Sequence, residues 1–148
     1  MPKLREKGKL TLEDGVYEGE ILNGMRHGIG IMTYTNGTIY EGSFDKGKFK
    51  GKGKYTWANG DKYEGDFAKG KFEGKGKMTW TDGRLYEGDF KRGFCNGIGI
   101  FNYPDGSVYE GDFINGKPYG KGKKTHINGK TEEGNWKNGE FIGEKDPY

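Results

Sequence analysis

The sequence predicts an all-β protein, an elongated and twisted single-layer antiparallel meander of stacked β-hairpins. Three observations lead to that class. The triplet Tyr-Glu-Gly begins at Tyr17, Tyr40, Tyr63, Tyr86 and Tyr109, always 23 residues apart. Asn36-Gly37, Asn59-Gly60, Asp82-Gly83, Asp105-Gly106 and Asn128-Gly129 keep the same beat. Asx-Gly between strand-like segments is a strong hairpin signal, because such turns need positive φ that asparagine and glycine accept. Finally, no 3.6-residue apolar pattern runs between these breaks, so a helix would have no face to bury.

A fixed short period is the mark of a repeat array. It divides the chain, read as one array over 1–148, into a half repeat at 4–16, full repeats at 17–39, 40–62, 63–85, 86–108 and 109–131, and a partial repeat at 132–144. All 30 glycines obey the beat once one residue is counted as deleted from the leading half repeat that holds Gly8 and Gly15. Counted from each tyrosine they fall at steps 2, 7, 11, 13 and 20, which in the second repeat are Gly42, Gly47, Gly51, Gly53 and Gly60. The first strand of a unit reads like IYEGSF (39–44), followed by a turn centred on DKGKFK (45–50). The second strand reads like GKGKYTW (51–57), and ANGD (58–61) turns into the next unit. Connections this short enforce antiparallel neighbours.

Strand side chains alternate between faces. In the third repeat one face carries Tyr63, Gly65, Phe67, Gly74, Gly76, Met78 and Trp80, and the other Glu64, Asp66, Lys75, Lys77 and Thr79. Glycine inside a strand costs roughly 0.5 to 1 kcal/mol. Here the glycines sit among rings, and the expectation is that neighbouring aromatics lie flat over them where a Cβ would intrude. Ile21, Phe44, Phe67, Phe90, Phe113 and Trp136 form one row on this face, and Leu12, Tyr34, Trp57, Trp80 and Tyr103 another. His126 and Lys124 end the aromatic pattern and make the last repeat a polar cap. On the opposite face, a simple hairpin register would pair Glu64 with Lys77 and Asp66 with Lys75. Ile29 and Ile31, then Ile98 and Ile100, stand there in place of lysine. These apolar spots would serve either as partner contacts or as packing for a terminal extension.

A mean hydropathy of −1.01 with 32% charged residues would suit a disordered linker, but 15% aromatic content argues for a packed structure. The single cysteine, Cys95, excludes an internal disulfide and a cysteine-cluster zinc site. No apolar run reaches membrane-spanning length, and the first ten residues lack the apolar core of a signal peptide. The chain is expected to be cytoplasmic. The net charge of +3 is spread through interleaved Lys, Arg, Asp and Glu, which gives no footprint for nucleic acid.

Catalytic chemistry finds little support. His27 and His126 lie about four repeats apart, and Cys95 falls in an expected turn with no histidine beside it. Gly65 to Lys71 fits the start of a phosphate loop, but Phe72 follows where Ser or Thr is needed, and no helix follows. No catalytic residue, cofactor or metal is expected.

The pattern YEGDFxxGxxxGxGxxxxxxG, as in Tyr63 to Gly83, resembles the MORN repeat (membrane occupation and recognition nexus) over essentially residues 4–144. Glu132 in place of a sixth tyrosine departs from it. The resemblance implies a curved single-layer sheet with an aromatic groove, and a scaffold or recognition role in membrane junctions, lipid kinases, axonemal and cytoskeletal assemblies. The expected function is a non-catalytic scaffold or adaptor that binds a helical or extended segment of a partner protein, within a cytoskeletal or axonemal assembly associated with the cytoskeleton or cilium. Tyr34, Tyr55, Trp57, Met78, Trp80, Phe101 and Tyr103 are the expected partner-binding residues, since Trp and Tyr dominate interface energetics. The alternative is a peripheral tether to anionic phospholipid, using Lys48, Lys50, Lys52 and Lys54, then Lys69, Lys71, Lys75 and Lys77. Homo-oligomers through the open sheet edges are also expected, discouraged by the charged, proline-bearing ends around Pro2 and Pro147.

Overall fold

The computed structural model describes residues 5–144. The chain divides into two compact units, the first ending at Phe72 and the second beginning at Glu73. The first holds β1 (Glu6–Leu12), β2 (Gly15–Leu22), β3 (Met25–Tyr34), β4 (Ile39–Asp45), β5 (Lys48–Thr56), β6 (Lys62–Ala68) and the first two residues of β7 (Lys71–Thr79). The second holds the rest of β7, then β8 (Leu85–Lys91), β9 (Phe94–Asn102), β10 (Val108–Ile114), β11 (Lys117–Thr125), β12 (Thr131–Lys137) and β13 (Glu140–Gly143). Within each unit the strands pair antiparallel in chain order, an open β-meander as the repeat predicts. Pro2 and Pro147 lie outside the described residues.

The two turns of each repeat exchange the chemistry that the sequence suggests for them. The turn expected over 45–50 is only Lys46-Gly47, with Asp45 directly opposite Lys48, so β5 starts three residues before the expected Gly51. Lys46 and Gly47 both have positive φ, 49° and 82°, the signature of a type I′ hairpin. Asn23, Lys69, Arg92, Asn115 and Asn138 occupy the same strained position. The Asx-Gly turns are built differently. Tyr34 accepts from Gly37 N–H at 3.0 Å and donates to Thr38 at 2.8 Å, a three-residue loop in which only Gly37 has positive φ. Asn36 Oδ1 instead accepts the Thr38 N–H at 2.9 Å, so asparagine serves as a side-chain acceptor. Because lysine is a poor left-handed residue and asparagine a tolerated one, Lys46→Asn should stabilise the chain by roughly 0.5 kcal/mol. A urea midpoint that stays the same or falls would contradict the I′ assignment.

The hairpins β2–β3, β4–β5, β8–β9 and β10–β11 each contain a bulge that strand alternation alone does not reveal. In β4–β5, Gly42 faces Gly53 and Phe44 faces Phe49, leaving Ser43 without a partner on β5. Gly51, with φ of 74°, takes up the excess length. Glu41 keeps its expected lysine, Lys54, but the residue two further on drops out of register. The lysine at step 12 instead reaches the following strand, and Lys52 pairs with Asp66 as Lys75 does with Asp89. These lysines are exposed, so each pair contributes little to stability.

The bulge and the repeat tyrosine are made for each other. Tyr40 is wholly buried, and its hydroxyl donates to the Ser43 carbonyl at 2.7 Å, at the residue the bulge has displaced. Tyr17, Tyr63, Tyr86 and Tyr109 are equally buried and donate to Glu20, Asp66, Asp89 and Asp112. To reach that carbonyl the ring lies flat across the glycine pair beneath it. A Cβ on Gly53 would come within 2.4 to 2.7 Å of the Tyr40 ring and hydroxyl, and one on Gly99 within 2.4 to 2.5 Å of Tyr86. This is why glycine stands inside the strands. Phe44, Phe67, Phe90, Phe113 and Trp136 complete the buried row, each ring meeting a repeat tyrosine edge-on at 4.9 to 5.1 Å.

Candidate partner-binding surface

The seven residues expected to bind a partner are all half-buried, neither sunk like the repeat tyrosines nor free like the surface lysines. They occur in both units. In the first, Tyr55 near the end of β5 and Trp57 at the first corner of the Asn59-Gly60 loop meet edge-on at 4.8 Å. Phe72 packs on both, at 6.1 Å from Tyr55 and 5.7 Å from Trp57. Tyr34 is the equivalent corner of the preceding repeat. Burial pushes its phenol pKa up, while a hydrogen bond from Arg26 pulls it back. Tyr55 is raised by burial too.

Phe49 and Phe72 belong to this surface and escape the sequence reading, which places them in turns. Phe49 stacks on Tyr40 at 3.9 Å and 10°, and Phe72 on Tyr63 at 4.0 Å and 14°. They cover the outer face of the buried tyrosine. The signal that would find them is the short I′ loop, which makes step 9 a strand position rather than a turn position. Arg26 holds that step in the first full repeat, with its guanidinium 5.2 Å from the Phe44 ring.

In the second unit the corresponding surface is less aromatic. Trp80 and Phe101 lie 5.7 Å apart, Phe101 and Tyr103 4.6 Å, and Met78 takes the place that Tyr55 holds in the first unit. Two cations lie over the rings, Arg84 at 4.6 Å from Trp80 and Lys124 at 4.5 Å from Tyr103. Beyond them His126 Nε2 and Glu132 Oε1 lie 2.6 Å apart, where other repeats carry an aromatic corner and a tyrosine. An open hollow of about 440 Å³ beside this pair is lined by Asp105, Ile127, Lys130 and Thr131.

Cys95 is a strand residue of β9, not a turn residue, and fills step 9 opposite Phe90. Burial pushes its thiol pKa up to about 12, so the thiolate that nucleophilic chemistry requires is suppressed. The native chain should therefore resist a thiol-specific reagent at pH 8 and react promptly once denatured. Rapid native labelling would show that β9 opens. Among the described residues no group of three or more His, Cys, Asp or Glu side chains is placed to hold a metal ion.

Tandem hairpins with a buried Tyr-Gly core and a ring-lined, half-buried surface define a β-repeat binding module. The MORN repeat model matches residues 17–39, 40–62, 63–83, 86–108 and 109–131, and the chain belongs to the MORN repeat family. Membership points to scaffolding, by protein or membrane binding, in a family that is generally non-catalytic. No curated protein matches the sequence. Among solved structures, the fold is similar to the SAS-4 (dCPAP) TCP domain of Drosophila melanogaster, in complex with a proline-rich motif of Ana2 (dSTIL). That likeness has 17% identity, covers 88% of this chain and 84% of that chain, and has a TM-score of 0.48.

Proposed function

We propose that the chain is a non-catalytic scaffold or adaptor that holds a helical or extended segment of a partner protein on the half-buried aromatic surface of its units, in the cytoplasm and within a cytoskeletal or axonemal assembly. The observation that carries this reading is the partition of the rings. The repeat tyrosines and the phenylalanine row are spent on the core, whereas Tyr34, Tyr55, Trp57, Met78, Trp80, Phe101 and Tyr103 keep part of their surface open beside it. Rings fixed by neighbours and open at one edge make good anchors, because little side-chain entropy remains to be lost. Trp57→Ala/Trp80→Ala should weaken partner capture by about tenfold or more while leaving the β-sheet circular dichroism intact. Unchanged capture by the folded variant would remove this surface from the function.

The alternative is an anionic-membrane tether. Lys48, Lys69 and Lys71 are exposed and favour it, but Lys50, Lys52 and Lys75 are engaged by Asp45, Asp66 and Asp89 and have less charge to offer. Co-sedimentation with phosphatidylserine vesicles that weakens steeply with salt would support the tether.

A further inference from the structure

On the opposite face of the strands, steps 8, 12 and 14 of the repeat change together. Three repeats carry lysine at all of them: Lys48, Lys52 and Lys54, then Lys71, Lys75 and Lys77, then Lys117, Lys121 and Lys123. The other two are apolar at all of them, with Met25, Ile29 and Ile31 on β3, and Phe94, Ile98 and Ile100 on β9. These six side chains are exposed, by 42, 60 and 42% in the first unit and 56, 64 and 43% in the second. Each alternates with a residue that faces the aromatic side, such as the buried Met32 beside Ile31 or the buried Cys95 beside Phe94. Core packing therefore does not account for them. Where solvent alone sets the residue, the repeat uses lysine.

Acids border both stripes. Ile31 stands between Glu18 and Glu41 on the neighbouring strands, and Ile100 between Glu87 and Glu110. Ile98 faces Asp112. In the lysine repeats these positions face cations, as Lys54 faces Glu41 and Glu64. Next to the isoleucines the stripe side of each acid lacks that cation, and Glu41, Glu87 and Glu110 are exposed with no ion pair among the described residues. Each stripe is thus an apolar ridge bordered by carboxylates whose cations stand only on the far side: Glu18 pairs with Lys9, and Glu41, Glu87 and Glu110 face Lys54, Lys77 and Lys123.

We infer that each unit carries a second docking surface, on the face opposite the aromatic one, for a protein segment with an apolar centre and Lys or Arg flanks. Apolar side chains bury the isoleucine ridge, and flanking cations supply on the ridge side the charge that the lysines of the other repeats place there. A charged rim of this kind fixes register and partner choice more than raw affinity. The same acids repel anionic lipid, and they leave a second copy of this ridge with like charges at its borders. The surface is separate from the aromatic one and does not depend on its function.

The test uses a displayed library of random 16-residue peptides selected on the full chain, with counter-selection on Ile29→Lys/Ile31→Lys/Ile98→Lys/Ile100→Lys. Lysine already occupies these positions in three repeats, so that variant should keep its fold. A second variant, Glu18→Gln/Glu41→Gln/Glu87→Gln/Glu110→Gln, tests the rim. Selected peptides should carry bulky apolar residues flanked by Lys or Arg. Their affinity should fall about tenfold or more in the lysine variant and roughly threefold or more in the glutamine variant. The glutamine variant decides alone should the lysine variant lose its β-sheet circular dichroism. The inference is overturned if no peptides are enriched, if acidic or uncharged ones are, or if affinity is unchanged in the folded variants. It is also overturned if the lysine variant is monomeric where the wild type self-associates, or if that variant loses binding to neutral vesicles.

Discussion

Gly99→Ala is expected to destabilise the chain by about 3 kcal/mol, a large effect for one added methyl group. Its Cβ would lie 2.4 to 2.5 Å from the Tyr86 ring and hydroxyl, closer than carbon and oxygen atoms tolerate. Tyr86 has no room to yield. It is wholly buried, its hydroxyl is held by the Asp89 carbonyl at 2.7 Å, and Phe90 and Phe113 meet it edge-on at 5.1 and 5.0 Å. Lifting the ring would break that hydrogen bond and both contacts. Gly8→Ala is the matched control, because its Cβ would meet only the tip of Ile21 at 3.3 Å, and it should change stability by less than about 0.5 kcal/mol. Urea unfolding of the two variants separates the cases. Equal midpoints would mean that the ring does not need the glycine.

Tyr40→Ala should cost about 4 kcal/mol, at the upper end for a buried ring, whereas Tyr40→Phe should cost about 1 kcal/mol. The larger loss reflects a ring that stacks on Phe49 at 3.9 Å and meets Phe44 and Phe67 edge-on at 4.9 and 5.1 Å. The smaller isolates the hydroxyl that partners the Ser43 carbonyl. Burial pushes the Tyr40 pKa up from 10 to about 12. A buried tyrosine that holds its proton more tightly than the unfolded one stabilises the fold fully below pH 10, and that contribution drains away as pH climbs from 10 to 12. Tyr86 and Tyr109 are raised for the same reason. Wild type should therefore lose stability across that alkaline range, and Tyr40→Phe should lose less. Parallel losses in the two proteins would show that other groups govern alkaline unfolding.

The repeat, the antiparallel order and the union of ring and glycine were all legible in the sequence, because 23-residue spacing aligns equivalent residues without any structure. The turn types were not. Asn59-Gly60 has the chemistry of a I′ turn, and Lys69-Gly70 does not, yet the left-handed pair falls on the lysine. Tertiary bonds explain the reversal, since Gly70 donates to the Phe49 carbonyl of the previous hairpin at 3.0 Å. Misplacing that turn hid Phe49 and Phe72 from the binding surface and put Cys95 in a loop. The bulge was equally hidden, because alternation counts residues and cannot register two that step out of line. The strand pattern expects Trp57, Trp80 and Tyr103 inside strands, but they sit at loop corners, where they both close the turn and keep an edge open.

The bonds between successive hairpins carry one more implication. Gly47 donates to Arg26, Gly70 to Phe49, Gly116 to Cys95 and Gly139 to Pro118, each at 2.9 to 3.0 Å. Every such tie closes a loop of about one repeat, so within a unit no hairpin depends on a distant part of the chain. Under tension such a structure yields in steps, releasing one hairpin's length of slack while its neighbours hold. The travel available to a repeat array of this kind is set by the number of its repeats.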